Sequence, residues 1–254
     1  MIIALRLGLV AALLLAWELA SGRLVPEFFV SRPSAIAVAL ANYIQDGMIF
    51  FHMGVTATEA IAGFLLGGGA GFAAGLLLGR QPVLADVLDP FLTAFYSLPK
   101  VALAPLYVLW FGIGIEMKIV LAATIVFFLV FLNTYSGVRQ VSREQLTILR
   151  LMGASEWQTM RMVVVPSAVS WVFTGLRLSV PYALIGAIVG EMIASNRGLG
   201  FVLSDAAGQF STANVFAALL VITVLAILLN MAVRLAEKML MPWQHAGNRR
   251  EFSV

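Results

Sequence analysis

The chain has 254 residues, 61% of them hydrophobic and 11% charged, with no cysteine, two histidines and a formal net charge of +3. A soluble domain carries about 25% charged residues; a mean hydropathy of +0.96 is more apolar surface than a globular core hides, and points to a bilayer. The missing cysteines exclude disulfides, thiolate metal sites and cysteine nucleophiles, His52 and His245 are too far apart for a metal site and read as interfacial or tail residues, and so small a charge is no nucleic-acid signal.

A spanning helix needs about 20 apolar residues, which allows about six spans with short loops. The first apolar run is Ile2–Leu19. A cleaved signal peptide is the rival reading, but only Arg6 supplies a basic flank, so an uncleaved span is expected. Residues 21–55 are mixed, with Pro26 and Pro33 as punctuation and a surface helix expected over Ser31–Ile49. The second span, Thr56–Leu78, is glycine-rich and ends in a turn at Arg80, Gln81 and Pro82. The third, Val87–Phe111, is interrupted by Pro99, Lys100 and Pro105; Asp86 and Asp89 are expected to cap its start. The fourth is Met117–Tyr135, followed by a polar loop. The fifth, Val169–Ala194, contains Pro181, and a segment with Gly198 and Gly200 leads to the sixth, Ala213–Leu235, and a polar tail. No run is patterned as a strand. In lipid every backbone group must be satisfied within its own segment, so the spans are helices and the fold class is all-α.

Orientation follows from Lys and Arg in short loops. With six spans, Arg6, Arg80, Arg139, Arg143, Arg150, Arg161, Arg234, Lys238, Arg249 and Arg250 fall on one side. Arg23, Arg32, Lys118 and Arg197 fall on the other. The bias puts both termini and the polar loop in the cytoplasm.

That loop, Ser142–Pro166, is the most informative stretch. Ser142 with Gln145 has the spacing of a capping box. The helix after it presents Leu146, Leu149 and Met152 at i, i+3 spacing, and Gly153, followed by Ala154, stands where a left-handed cap would end it. Ser155 with Gln158 repeats the capping signal; Trp157, Met160 and Val164 are expected to share a face, with Arg161 close by and Pro166 starting the next span. Two short helices joined at a glycine make a blunt knob. The pattern fits docking onto a partner and lying on lipid headgroups equally well.

Gly153, nine residues, then Val163-Val164-Val165-Pro166 resembles the EAA loop of ABC-importer permeases. In that family the loop is the coupling helix, seated in a groove of the ATP-hydrolysing subunit. Thr147-Ile148-Leu149 occupy the Glu-Ala-Ala places and Val163 and Val165 replace Ile and Leu, so no glutamate salt bridge carries over. Leu98-Pro99-Lys100-Val101-Ala102-Leu103-Ala104-Pro105-Leu106 with Leu109-Trp110-Phe111-Gly112, and Gly190-Glu191 with Gly198-Leu199-Gly200, are similar to signatures of the nitrate/sulfonate/taurine branch. The resemblance spans nearly the whole chain. It implies a MetI-like six-span permease fold as one transmembrane domain over residues 1–254 in a bacterial inner membrane. It also implies a homodimer with the pore between subunits, two ATPase subunits and an extracytoplasmic binding protein. The coupling residues it implies are Leu149, Met152, Gly153, Ala154, Ser155, Trp157, Met160, Arg161 and Pro166.

Gly63, Gly67, Gly71, Gly75 and Gly79 recur every fourth residue, the spacing that lets spanning helices approach closely. A 3.6-residue turn makes the row drift, so it need not face one partner throughout. No Lys-Ser/Thr follows Gly67–Gly71, so this is no nucleotide loop. No ATP site stands elsewhere in the chain, and neither a catalytic group, a cofactor nor a metal is expected. Pro99 and Pro105 break the third span, and Lys100 between them costs about 2.5–3.5 kcal/mol on insertion scales. Lys100 reads either as a positive group beside an anion path or as a snorkelling or paired lysine. Glu59, Arg177 and Glu191 are the other path candidates. Arg177 and Glu191 lie 14 residues apart on one helix and cannot touch, so each needs another partner or water; water at the span ends is the plain explanation for Glu59 and Glu191.

The resulting expectation is an ABC-importer permease moving a small anion such as nitrate, a sulfonate or taurine by alternating access. A thiamine-precursor pyrimidine or an aromatic acid is the alternative within the family. An autonomous secondary transporter would need mid-membrane coupling charges and an internal repeat, and a membrane enzyme would need clustered reactive groups.

Overall fold

A computed structural model describes residues 2–241; His245, Arg249 and Arg250 lie outside the described residues. Its elements are α1 Ile2–Ala20, α2 Glu27–Val30, α3 Pro33–Gln45, α4 Met48–Gly79, α5 Pro82–Ser97, α6 Ala104–Phe111, α7 Ile115–Arg139, α8 Arg143–Leu151, α9 Glu156–Thr159, α10 Val165–Ala194, α11 Leu199–Gly208 and α12 Thr212–Leu240. A 3-10 turn, Lys100–Leu103, and a π segment, Met160–Val164, complete the order, and no strand is formed among the described residues. Among the described residues, five helical runs are long and apolar enough to cross a membrane: α1, α4, α7, Glu156–Ala194 and α12. A sixth exists if α5 and the run Lys100–Phe111 count as one span bent by 78°.

Several boundaries differ from the sequence expectation for local reasons. The expected surface helix over Ser31–Ile49 is shorter: α3 starts at Pro33, whose fixed φ suits a first helical position, and stops at Gln45. The second span begins at Met48 rather than Thr56, directly after Gly47 at φ +70°. Asp86 and Asp89 do not cap α5. Pro82 lacks a backbone donor and starts the helix, with Gln81 as N-cap, so both aspartates lie inside it. Pro105 breaks nothing, because it sits in the first turn of α6; the break lies at Leu98 and Pro99, both in extended conformation.

The described residues divide into two compact units, 2–57 with 191–225 and 58–190 with 226–241. In the first, Ile36, Ala39 and Ala217 form a small core with Trp17, Tyr43 and Phe216 around it. Trp17 meets Phe216 edge to face at 5.5 Å. The Glu18 carboxylate accepts from the Ser34 amide at 3.0 Å and the Ser34 hydroxyl at 2.6 Å, which satisfies the otherwise open start of α3.

In the second unit α7 is the central helix, burying Met117, Leu121, Ala122, Val126, Val130 and Phe131 among others. The α4 glycines lie along it in parallel register. A Cβ at Gly63 would stand 2.5 Å from the Ala122 Cβ, one at Gly67 would run into the Ala123 backbone, and one at Gly71 would stand 2.5 Å from the Phe127 carbonyl oxygen. At Gly75 and Gly79 the obstacles are Thr134 and Val138, each at 2.7 Å. The row therefore stays on one partner over its whole length instead of drifting away. From α10, Gly186 closes on Ala122 and Gly190 on Lys118 in the same way. Close backbone approach adds dispersion contacts, the attraction left to helices in lipid.

Candidate functional site

The loop between α7 and α10 is built by local hydrogen bonds. The Ser142 hydroxyl accepts from the Gln145 amide at 3.4 Å, one half of the expected box. Gly153, at φ +76°, ends α8; its N–H donates to the Arg150 carbonyl and the Ala154 N–H to the Leu149 carbonyl, both at 3.0 Å. Those two bonds make a Schellman cap. Ser155 and Gln158 form a complete capping box, with bonds of 3.2 and 2.7 Å. Arg80, on the α4–α5 turn, is ion-paired to Glu156.

The inner face of the loop is anchored. Val164 and Ala168 pack with Val138 and Val141, and Leu146, Met160 and Val163 close around them. The outer face is apolar and bare: Leu151 is 82% exposed, Met152 77%, Trp157 72% and Ile148 56%. Gly153, Ser155 and Arg161 are also exposed, and Leu149 and Ala154 are half-buried. Trp157 therefore does not share a face with Met160 and Val164. The π segment, Met160–Val164, follows Trp157; it takes roughly one extra residue per turn and re-phases α9 against α10. For the same reason Pro166 does not begin a separate span. The helix runs on from Glu156, its widened turn standing just before the proline that removes a backbone donor.

The candidate charges are distributed among separate contacts. In the second unit the Glu59 carboxylate lies 3.8 Å from the Lys118 ammonium, with side chains 1% and 3% exposed. Lys118 also donates to the Ile113 carbonyl at 3.4 Å. Its stem uses the room left by Gly190, where a Cβ would stand 2.8 Å from Lys118 Cγ. Exposure to water at a span end is thus not what accommodates Glu59, and Lys118 is no loop charge. Arg177 pairs with Glu237 of α12 at 3.2 Å. Lys100 donates to the Tyr96 carbonyl and lies over the Tyr96 and Phe128 rings, 4.9 and 4.6 Å from their centroids, a cation–π arrangement. Pro99 is the N-cap of the 3-10 turn that begins at Lys100.

In the first unit Glu191 is 1% exposed, again not a water-facing carboxylate. It accepts from the Thr56 hydroxyl at 2.7 Å and from the Gly200 N–H at 2.6 Å. Thr56 in turn accepts from the Leu199 N–H at 2.8 Å, and His52 Nδ1 from the Gly198 N–H at 3.0 Å. His52 is buried in this contact rather than interfacial. His52, Thr56 and Lys118 were missed as site residues because a lone polar residue near the end of an apolar run carries no periodic signal. Among the described residues, no group of three His, Asp or Glu side chains is placed to hold a metal.

Residues 67–245 match the model of a family described as binding-protein-dependent transport system inner membrane component. The chain belongs to that family. As a permease it is similar to the putative aliphatic sulfonates transport permease protein SsuC of Bacillus subtilis (strain 168), 33% identical over 93% of this chain and 86% of that one. The formylaminopyrimidine transport permease protein ThiX of Halalkalibacterium halodurans is 31% identical over 91% of this chain and 92% of the relative. The taurine transport system permease protein TauC of Escherichia coli (strain K12) is 29% identical over 95% and 90%. A solved structure titled inward facing conformations of the MetNI methionine ABC transporter superposes with a TM-score of 0.61 at 15% identity, covering 75% of this chain and 96% of that one. The permease therefore has the MetI-like fold. It is a multi-pass membrane component of an ABC importer, a transport protein of a family whose systems depend on a binding protein.

Proposed function

We propose that the permease forms the path for a small anionic solute of the sulfonate class, released to it by an extracytoplasmic binding protein. Two copies pair around the path, and two ATPase subunits supply the energy; this chain hydrolyses nothing itself. The observation that carries this reading is the tip of the 142–166 loop. Leu151, Met152 and Trp157 stand in the open on a segment capped at Gly153 and at Ser155. Exposed aromatic anchors on a rigid, polar-rimmed element mark a protein contact, and Arg161 adds charge beside them. The Lys/Arg asymmetry of the sequence supports a cytoplasmic position for this loop and both termini. With Lys118 buried inside α7, only Arg23, Arg32 and Arg197 count for the opposite side, which sharpens the bias.

Trp157→Ala is the direct test. It is expected to insert normally while ATPase association and ATP-driven uptake fall together. Normal uptake by this variant would end the docking reading. Gly153→Asp is expected to uncouple ATP hydrolysis from uptake, because a side chain at φ +76° strains the cap between the two exposed anchors.

The likeness to ThiX favours a second substrate, a formylaminopyrimidine. Binding of taurine, short alkanesulfonates and formylaminopyrimidine to the cognate binding protein separates the two. Among the candidate path residues, Arg177 is open, its side chain 42% exposed. Lys100→Ala is expected to weaken uptake of an anion without loss of assembly, and unchanged uptake kinetics would remove Lys100 from the path.

A further inference from the structure

The start of α11 is unusual in having its backbone donors satisfied by three side chains from elsewhere in the chain. Gly198, Leu199 and Gly200 present successive N–H groups to His52 Nδ1, Thr56 Oγ1 and Glu191 Oε2, at 3.0, 2.8 and 2.6 Å. A helix start leaves such donors open and carries a partial positive charge. Here a carboxylate buried to 1% exposure fills the place that a local cap or an anion would take. Gly198 is required twice over: its φ is +98°, and a Cβ would collide with the Glu191 carboxylate. The Thr56 hydroxyl faces the Glu191 carboxylate at 2.7 Å and the His52 carbonyl at 3.2 Å as a donor while accepting from Leu199. Phe201 lies against His52, ring centroids 6.0 Å apart.

α11 set in this way forms one wall of a cleft of about 480 Å³. Its lining includes Glu191, Met192 and Ser195 at the end of α10 and Phe201, Ser204 and Asp205 on α11. We propose that His52, Thr56 and Glu191 are positioning residues for transport: they fix α11 against the end of α10 and so set the shape of this polar cleft. The inference rests on the reading of the chain as a solute path. The internal cap itself needs no ligand and no partner.

Hydrogen exchange on the intact importer tests it, read on peptides that cover residues 198–200, together with uptake and ATP hydrolysis by Thr56→Val and Thr56→Ser. In the unaltered protein these amides are expected to exchange slowly, although first-turn amides are otherwise open. Thr56→Val keeps the shape and removes the hydroxyl. It is expected to speed exchange and lower uptake about tenfold, the effect of a buried bond left unmade, while ATP hydrolysis continues. Thr56→Ser restores the hydroxyl and is expected to return both readouts to within about twofold. Fast exchange in the unaltered protein overturns the proposal, as does normal uptake by Thr56→Val or a Thr56→Ser as defective as Thr56→Val. Should Thr56→Val fail to assemble, His52→Phe, which removes only the acceptor for the Gly198 N–H, is read in the same way, and normal uptake with faster exchange overturns the proposal. A Trp157→Ala importer with normal uptake would remove the docking reading and leave the protection of these amides intact.

Discussion

The loop at 142–166 and the corner around Glu191 treat their polar and apolar groups in opposite ways. The loop satisfies its backbone with its own neighbours and turns Leu151, Met152 and Trp157 outward. The corner draws its partners from across the chain and turns polar side chains inward, with His52, Thr56 and Glu191 at 8%, 0% and 1% exposure. Apolar surface left open on a capped element points outside the molecule, to something that will cover it. Polar groups buried and paired point inward, to a geometry the chain must hold. The two regions should therefore fail differently: the loop through lost partners, the buried groups through lost folding or lost alignment.

The largest expected effect belongs to the other buried pair. Lys118→Ala leaves Glu59 as a buried charge without its ion partner and is expected to cost about 3–5 kcal/mol, read as reduced yield of inserted, monodisperse protein. Glu59→Leu with Lys118→Met should recover most of that yield, since replacing both charges by apolar groups is often neutral. A double variant as unstable as the single one would show that the charges do more than satisfy each other. Trp157→Ala comes next, with about 2 kcal/mol lost from ATPase affinity if the indole is a hot spot and no change in thermal stability of the isolated permease. A fall in stability instead would erase the contrast between the regions. Ser155→Ala removes a complete capping box and is expected to cost about 1 kcal/mol of local stability, detectable as faster exchange at Glu156–Thr159. Glu156→Gln, which loosens the partly exposed pair with Arg80, should change stability by less than about 1 kcal/mol.

Much of the loop was legible in advance because its determinants are local. A glycine at a left-handed position and a Ser three residues before a Gln act within one turn of chain, and both caps form as their spacing implies. The exposed side of Trp157 was not legible, because its i, i+3 spacing to Met160 suggests a shared face and only the packing of Met160 against Val138 and Val141 separates the two. The fate of the charges was still less accessible. Glu59 and Glu191 look in the sequence like residues near the ends of apolar runs, for which water is the simplest partner; both are buried, and Lys118, counted as a loop residue, is inside α7.

By itself the sequence determined that the long apolar runs are helices and where the loop is capped at Gly153 and Ser155, since a backbone in lipid must bond within its own segment. It also determined the glycine row of α4, although only the packed structure settled that α7 receives every one of those glycines. The tertiary structure alone decided the 78° bend after α5, the Glu59–Lys118 pair and the grip of His52, Thr56 and Glu191 on α11. Thr56 and Glu191 are separated by 135 residues of chain. Whether two such groups meet depends on the register and rotation of whole helices against one another, and local periodicity encodes neither.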